Sequence, residues 1–399
     1  MTLSVLLAGG GSAGHVSPLL ALADCLRRRD PSAQITALGT TEGLEARLVP
    51  ERGYPLLTVP KVPMPRRPGA DLVFLGSRLT AAVRAAGTAI DQTGADVVVG
   101  FGGYVSAPVY LAARRRGVPI VIHEQNPLPG LANRLGARLT PYVAVSFAGT
   151  PLPHAVHTGM PLRPEISGLR RHDIRADAYR ELGLDPGRTT LLVTGGSLGA
   201  QRLNETFGAA AADLLAAGIQ VLHASGIGKT VDLTSADARS MGATGSVGTA
   251  SAGGPAYLVV PYLQRIERAY AVADLVVCRS GANTVCELTA VGLPAAYVPL
   301  PVGNGEQRLN AEPVVAAGGG LLVDDADCTP QWVRSTLLSL LADGVALQRM
   351  GSAAAALGLP HADEKLADLV LAAVAGRAPS SAAPPAEIVL DRPSADEPQ

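Results

Sequence analysis

The chain has 399 residues, 47% of them apolar, and a formal net charge of −1. That length predicts two domains, each with enough apolar residues for its own core, and the balanced charge excludes the strongly basic profile of a nucleic-acid-binding protein. Cys25, Cys278, Cys286 and Cys328 lie without CxxC spacing, which fits a reduced cytosolic protein better than a disulfide framework. The N-terminus lacks a basic-then-apolar leader, and no window reaches 18 uninterrupted apolar residues, so the expectation is a soluble, cytoplasmic chain without a membrane span.

In chain order, one unit recurs: an apolar run, a Gly-rich corner and an amphipathic helix. Residues 3–8 run into the glycines of 9–14 and a helix through Arg29; residues 97–100 run into "FGG" and a helix over 104–116. Residues 118–122 lead to "HEQNPLPGLANR", 190–193 to "TGGSLGAQRLNETF" and 275–278 to "RSGANTVCELTAVG". Strands alternating with helices predict parallel α/β sheets. Two copies of strand, glycine corner and helix, near Gly10 and Gly196, predict two doubly wound domains. The hinge falls in "HTGMPLRPE", where two prolines interrupt the pattern. The predicted division is 1–161, 162–345, C-terminal helices over 346–375 that pack back on the first domain, and a disordered tail over 376–399. Residues 241–256, almost all Gly, Ala, Ser and Thr, predict a flexible insertion.

In parallel sheets, ligands sit at the carboxyl ends of strands, where helix N-termini present free N–H groups. Gly9-x-Gly11-x-x-Gly14 satisfies the dinucleotide spacing, but the acid expected after the second strand is represented only by a displaced Glu42. "SGIGKT" ends like a P-loop, yet His223 stands where its first glycine belongs. The acidic run "DDAD", 324–327, leads into Thr329-Pro330, an N-cap and first-turn proline, so it reads as a loop before a helix rather than a metal site. His154 and His157 lack a third convergent ligand.

Seven motifs in fixed order, "GGGSAGHVSP", "GFGGYVSAP", "HEQNPLPGLANR", "GMPLR", "GGSLGAQRLN", "CRSGANTVCE" and "PLPVGNGEQRLNA", span about three quarters of the chain. In that order they resemble the MurG family of peptidoglycan glycosyltransferases. The resemblance implies a GT-B architecture, two Rossmann-like α/β domains facing across a cleft. It implies transfer of N-acetylglucosamine from UDP-GlcNAc to the 4-hydroxyl of the muramyl sugar of lipid I, an undecaprenyl-linked acceptor, giving lipid II. It further implies inversion, with neither a cofactor nor a metal.

Carried onto this sequence, the resemblance makes Ser12, Ala13 and Gly14 a loop facing the donor sugar and the acceptor's pyrophosphate. Ala282, Asn283 and Thr284, followed by Val285 and Cys286, form the helix start at the diphosphate, with Ser197 adding a hydroxyl. Glu287 would accept both ribose hydroxyls, Leu263 would offer main chain to uracil, and Arg163 would approach the nucleotide sugar. Asn126 and Gln307 would hydrogen-bond the GlcNAc hydroxyls, with loop capping as their structural alternative. His15 is a candidate general base or acceptor-positioning group, since imidazole titrates near neutrality; a histidine capping its own helix is the other reading. Glu124 is a second base candidate on the same rim.

Between residues 61 and 86 five basic residues (Lys61, Arg66, Arg67, Arg78, Arg84) face one acid, Asp71, around the apolar "LVFL" of 72–75. That pattern predicts either an ordinary core with a basic rim or peripheral attachment to an anionic membrane surface, where other cell-wall enzymes are further candidate partners. Three positions depart from the family's usual residues: Leu198 for Gln, Asn283 for an apolar residue and Ser12 for Thr. They leave open a related GT-B transferase of secondary metabolism, and a non-catalytic nucleotide-sugar-binding scaffold at the membrane.

Overall fold

Seven parallel strands form the first sheet, in the order β3-β2-β1-β4-β5-β6-β7. They are β1 (Ser4–Ala8), β2 (Gln34–Gly39), β3 (Leu56–Thr58), β4 (Val97–Gly100), β5 (Ile120–Glu124), β6 (Tyr142–Val145) and β7 (Ala155–His157). The second sheet runs β10-β11-β9-β8-β12-β13-β14. It comprises β8 (Thr190–Thr194), β9 (Gln220–Ala224), β10 (Ala238–Ser240), β11 (Tyr257–Val260), β12 (Leu275–Cys278), β13 (Ala295–Tyr297) and β14 (Gly320–Leu322). The computed structural model describes residues 2–62, 71–196, 199–233, 238–240 and 255–379. Ser197, Leu198, Arg66, Arg67, most of the Gly-rich insertion and the tail from 380 lie outside the described residues, as do the side chains of 71–75.

The central strands are continuous apolar runs because helices cover both faces of each sheet. Every residue of β1, β4, β5, β8, β9 and β12 is buried. Strand order reverses between β1 and β4 in the first sheet and between β8 and β12 in the second. Those are the topological switch points at which open α/β sheets bind ligands. The register aligns Ala8 with Gly100 in one sheet and Thr194 with Cys278 in the other, so the glycine corners that follow them open at matching heights.

The chain leaves the first sheet at β7, and by helix Pro164–Ser167 the buried Ile166 already belongs to the second domain's core. The C-terminal segment then divides. Helix Gly344–Ala355 packs on helix Ala282–Ala290 of the second domain. Helix Ala362–Val374 returns to the first, packing on helix Ala13–Arg29 and on β4, β5 and β6. Leu366, Leu369 and Val370 enter the first domain's core, each worth roughly 1.5–3 kcal/mol when fully buried. The ion pairs Arg28–Asp363 (2.8 Å) and Arg29–Asp368 (2.6 Å) flank that contact. With one partner of each well exposed they contribute at most about 1 kcal/mol apiece, so apolar packing holds the return.

Candidate active site

Three helices begin at the interdomain cleft without side-chain caps: Ala13–Arg29 behind Ser12, Gly103–Arg116 behind Gly102, and Ala282–Ala290 behind Gly281. None carries an acid in its first turn. Each therefore turns unsatisfied N–H groups and a partial positive charge toward the same space. That space is a cavity of about 890 Å³. Ser12, Ala13, Gly14, His15, Glu124 and Asn126 line it from the first domain. Ala282, Asn283, Thr284 and Gln307 line it from the second.

The first glycine loop is built around a side chain that the sequence reading passed over. Glu45, 0% exposed, accepts the Gly11 N–H at 2.8 Å through one carboxylate oxygen. Through the other it accepts the Thr40 N–H at 2.9 Å and the Thr40 hydroxyl at 2.8 Å. A Cβ at Gly10 would stand 2.2 Å from its Oε1, one at Gly39 2.4 Å from its Cγ, and one at Gly43 2.0 Å from its Oε2. A carboxylate so anchored cannot swing away, so these positions accept only glycine. Burial raises the Glu45 carboxyl, but the bonds from Gly11 and Thr40 outweigh it and hold it below the usual glutamate range. The expectation that the loop's bare backbone faces ligand anions is thereby corrected in part. The Gly11 N–H is spent on Glu45, and the donors left for an anion are those of the helix start at Ala13 and Gly14.

His15 sits on the rim with Nδ1 3.0 Å from Gln125 Oε1. It also lies over the second glycine corner, where a Cβ at Gly102 would meet its Cε1 at 3.2 Å. Its ring thus reaches across to β5 instead of capping its own helix. Glu124 is corrected as a base candidate. It is 3% exposed, and its oxygens accept the N–H groups of Asn126 (3.0 Å) and Gly130 (3.0 Å) and the amide of Asn133 (2.9 Å). Those bonds fold the 126–130 loop against the cleft; Glu124 builds the wall.

In the second domain, Glu287 Oε2 accepts the Tyr270 hydroxyl at 2.8 Å. Burial pushes the Glu287 carboxyl up, against the charge of Arg163 and the Tyr270 hydrogen bond. Arg163 is the N-cap residue of helix Pro164–Ser167. The remaining oxygen and lone pairs of Glu287 can still accept two hydroxyl donors. Leu263 packs its side chain on the second core. Val285 is a correction: it is 1% exposed and its N–H is bonded to the Gly281 carbonyl, so it forms core and helix. Cys286 also packs on that core, and burial pushes its thiol up to about 12.

Gln307 Oε1 accepts the Leu300 N–H at 3.0 Å, so part of its amide does cap its own loop. Asn126 Oδ1 stands 3.5 Å from Asn310 Nδ2 across the cleft. Asn310 is 0% exposed and its own Oδ1 is unpartnered. Neither Asn310 nor Glu45 is announced by local spacing. The acidic run is engaged as a loop: Asp324 pairs with Arg308, Asp325 with Arg279 at 2.6 Å, and Thr329 caps by accepting from the Trp332 N–H. Among the described residues no group of three or more His, Cys, Asp or Glu could hold a metal ion.

Two Rossmann-like domains with uncapped helix starts converging on the cleft between them are the GT-B arrangement, and the family matches make the chain a glycosyltransferase. Residues 5–145 match the glycosyltransferase family 28 N-terminal domain, and residues 190–366 match the family's C-terminal domain. The chain belongs to glycosyltransferase family 28. It is 58% identical, over 92% of its length and 97% of the relative's, to the UDP-N-acetylglucosamine–N-acetylmuramyl-(pentapeptide) pyrophosphoryl-undecaprenol N-acetylglucosamine transferase of Nocardioides sp.. The protein of that name from Streptomyces avermitilis is 53% identical over 94% of this chain and 99% of the relative. The crystal structure of Acinetobacter baumannii MurG superposes with a TM-score of 0.72 at 28% identity, covering 92% of this chain and 99% of that one. The calicheamicin glycosyltransferase CalG4 shares the fold at 19% identity, with a TM-score of 0.62 over 94% of this chain and 99% of its own.

Proposed function

We propose that the chain transfers N-acetylglucosamine from UDP-GlcNAc to the 4-hydroxyl of the muramyl sugar of lipid I, releasing UDP and forming lipid II for the peptidoglycan wall. The observation that carries this reading is the meeting of the three uncapped helix N-termini, two from the first domain and one from the second, in one cleft with His15 on its rim. The relatives from Nocardioides sp. and Streptomyces avermitilis, matched over 97% and 99% of their lengths, support it.

The acceptor hydroxyl oxygen attacks the anomeric carbon as its proton passes to the His15 imidazole. The bond from that carbon to the diphosphate oxygen breaks on the opposite face, which inverts the centre. Negative charge grows on the departing diphosphate, and the N–H groups starting helix Ala282–Ala290 meet it. Such preorganised donors act where charge develops and need no reorganisation during the step. Glu287, fixed by Tyr270, takes the ribose hydroxyls, and Asn126 and Gln307 take those of the sugar.

Because the acceptor is lipid-linked, the reaction belongs at the cytoplasmic face of the membrane. Among the described residues no helix is long and apolar enough to cross one. The basic residues around 72–75 support peripheral attachment to an anionic leaflet.

The test is UDP release from UDP-GlcNAc with a lipid I analogue, run with and without EDTA. Turnover that needs the acceptor and survives EDTA is expected; UDP-GlcNAc binding without turnover would leave a binding scaffold instead. Arg66→Glu with Arg67→Glu should release the protein from anionic vesicles while sparing turnover of a soluble acceptor, and undiminished vesicle binding would return that stretch to an ordinary rim.

A further inference from the structure

His15 is one end of a buried hydrogen-bonded chain whose polarity can be worked out from its far end. The Gly159 carbonyl oxygen lies 3.0 Å from His123 Nε2. A carbonyl only accepts, so Nε2 carries the proton. His123 is 0% exposed, and burial lowers its imidazole to about 4, so the ring is neutral and Nδ1 holds a lone pair. Gln125 Nε2 lies 3.1 Å from that Nδ1 and 2.9 Å from the His123 carbonyl oxygen.

Both neighbours are acceptors, so the amide end facing them must be the NH₂ group, with one hydrogen for each. Turning the amide over would set its oxygen against a carbonyl oxygen and a lone pair, and Gln125 is 1% exposed, with no solvent to compensate. Gln125 Oε1 is thereby fixed toward His15 Nδ1 at 3.0 Å. An oxygen there requires a donor.

We propose that Gln125 and His123 are positioning residues that hold the neutral His15 imidazole as its Nδ1–H tautomer, leaving the Nε2 lone pair for the acceptor hydroxyl. A histidine free in water favours the opposite tautomer, which would put the proton on the nitrogen that has to receive one. The arrangement selects the minor form by geometry alone, through one amide and one imidazole, and its last fixed point is main chain. This rests on His15 as the base in the reaction proposed above, but the tautomer has a readout of its own.

The experiment is long-range ¹H–¹⁵N correlation of the full chain labelled with ¹⁵N-histidine, at a pH where imidazole is neutral, with His15 assigned by loss of its signals in His15→Asn. The wild type should show a protonated Nδ1 and an unprotonated Nε2. Gln125→Leu, or Gln125→Met if the first folds poorly, should shift His15 toward Nε2–H and lower kcat by about 10²-fold, the scale of general-base catalysis. The KM for UDP-GlcNAc should stay near the wild-type value. A wild-type His15 protonated on Nε2, or a Gln125→Leu variant that keeps Nδ1–H, would overturn the proposal. A switched tautomer with undiminished kcat would uphold the positioning and remove His15 from proton transfer, so the two ideas fail separately.

Discussion

The side-chain amide of Asn283 donates to the main-chain carbonyl of Ala13 at 3.2 Å, joining the helix start of the second domain directly to that of the first. The Asn283 side chain is thus a direct bridge between the two domains. Its Oδ1 is buried and unpartnered, so one end of the amide spans the cleft while the other remains an acceptor beside the space a donor would fill.

Asn283→Ala removes one neutral hydrogen bond across the domains, worth about 0.5–1.5 kcal/mol. The expected result is a KM for UDP-GlcNAc raised roughly 2- to 10-fold, with kcat little changed. Steady-state kinetics checks it, and a large fall in kcat at constant KM would mean that the amide acts on the transition state.

Glu45 makes a prediction about stability. Replacing it by Gln puts an NH₂ group against N–H donors it now accepts from, and should cost about 1–3 kcal/mol. Urea unfolding measures the loss, and faster amide exchange at Gly11 and Thr40 should accompany it. Unchanged stability would show that the glycines around Glu45 serve something else.

For Glu287 the expected change is in nucleotide affinity. Glu287→Ala loses charge-assisted bonds of about 1.5–3 kcal/mol, so UDP should bind more than 10-fold weaker by calorimetry. Tyr270→Phe removes only the 2.8 Å bond that orients the carboxylate and should cost a few-fold. Because burial raises the Glu287 carboxyl, it takes up its proton earlier than an ordinary glutamate as pH falls. UDP affinity should weaken correspondingly early on the acid side, and a Glu287→Gln variant should lose that dependence.

The buried histidines contribute to the pH dependence of folding. Burial lowers His123 from 6.5 to about 4 and His223 from 6.5 to about 3. Between those values and 6.5 the unfolded chain binds more protons than the native one, so stability rises with pH through that window. It is complete above 6.5 and is lost as pH falls toward the folded values. From pH 7 to pH 5 each group should remove about 2 kcal/mol. Urea midpoints at the two pH values give the slope. His223→Gln should flatten it, and a midpoint that does not move would contradict the assignment.

The strands and their glycine corners were legible because a parallel strand covered on both faces is an uninterrupted apolar run, as in "VVVG" and "LVVC". The cleft came with the resemblance, which implies two Rossmann-like domains facing each other, and strand order in the structure reverses at its two walls. What stayed hidden depends on contacts far apart in sequence. Glu45 meets Gly11 across 34 residues and Gln125 meets His15 across 110. Neither pairing leaves a local spacing to find, and the acid considered after β2 was Glu42, three positions short. Glu124 misled for a related reason: a carboxylate beside a cleft has the same sequence signature whether its oxygens face substrate or main-chain N–H groups.

Two lengths of chain pass between the domains, residues 158–163 and 356–361, and they touch. At Gly159, whose φ of +91° lies in the left-handed region, an added Cβ would stand 2.8 Å from Leu359 Cβ. Two crossings side by side act like a pair of pins in a door: they permit a swing about one line and resist sliding or unscrewing. The carbonyl that orients His123 belongs to Gly159 itself and therefore lies on the pivot, where the lever arm is shortest. A swing about that line would therefore displace this carbonyl least.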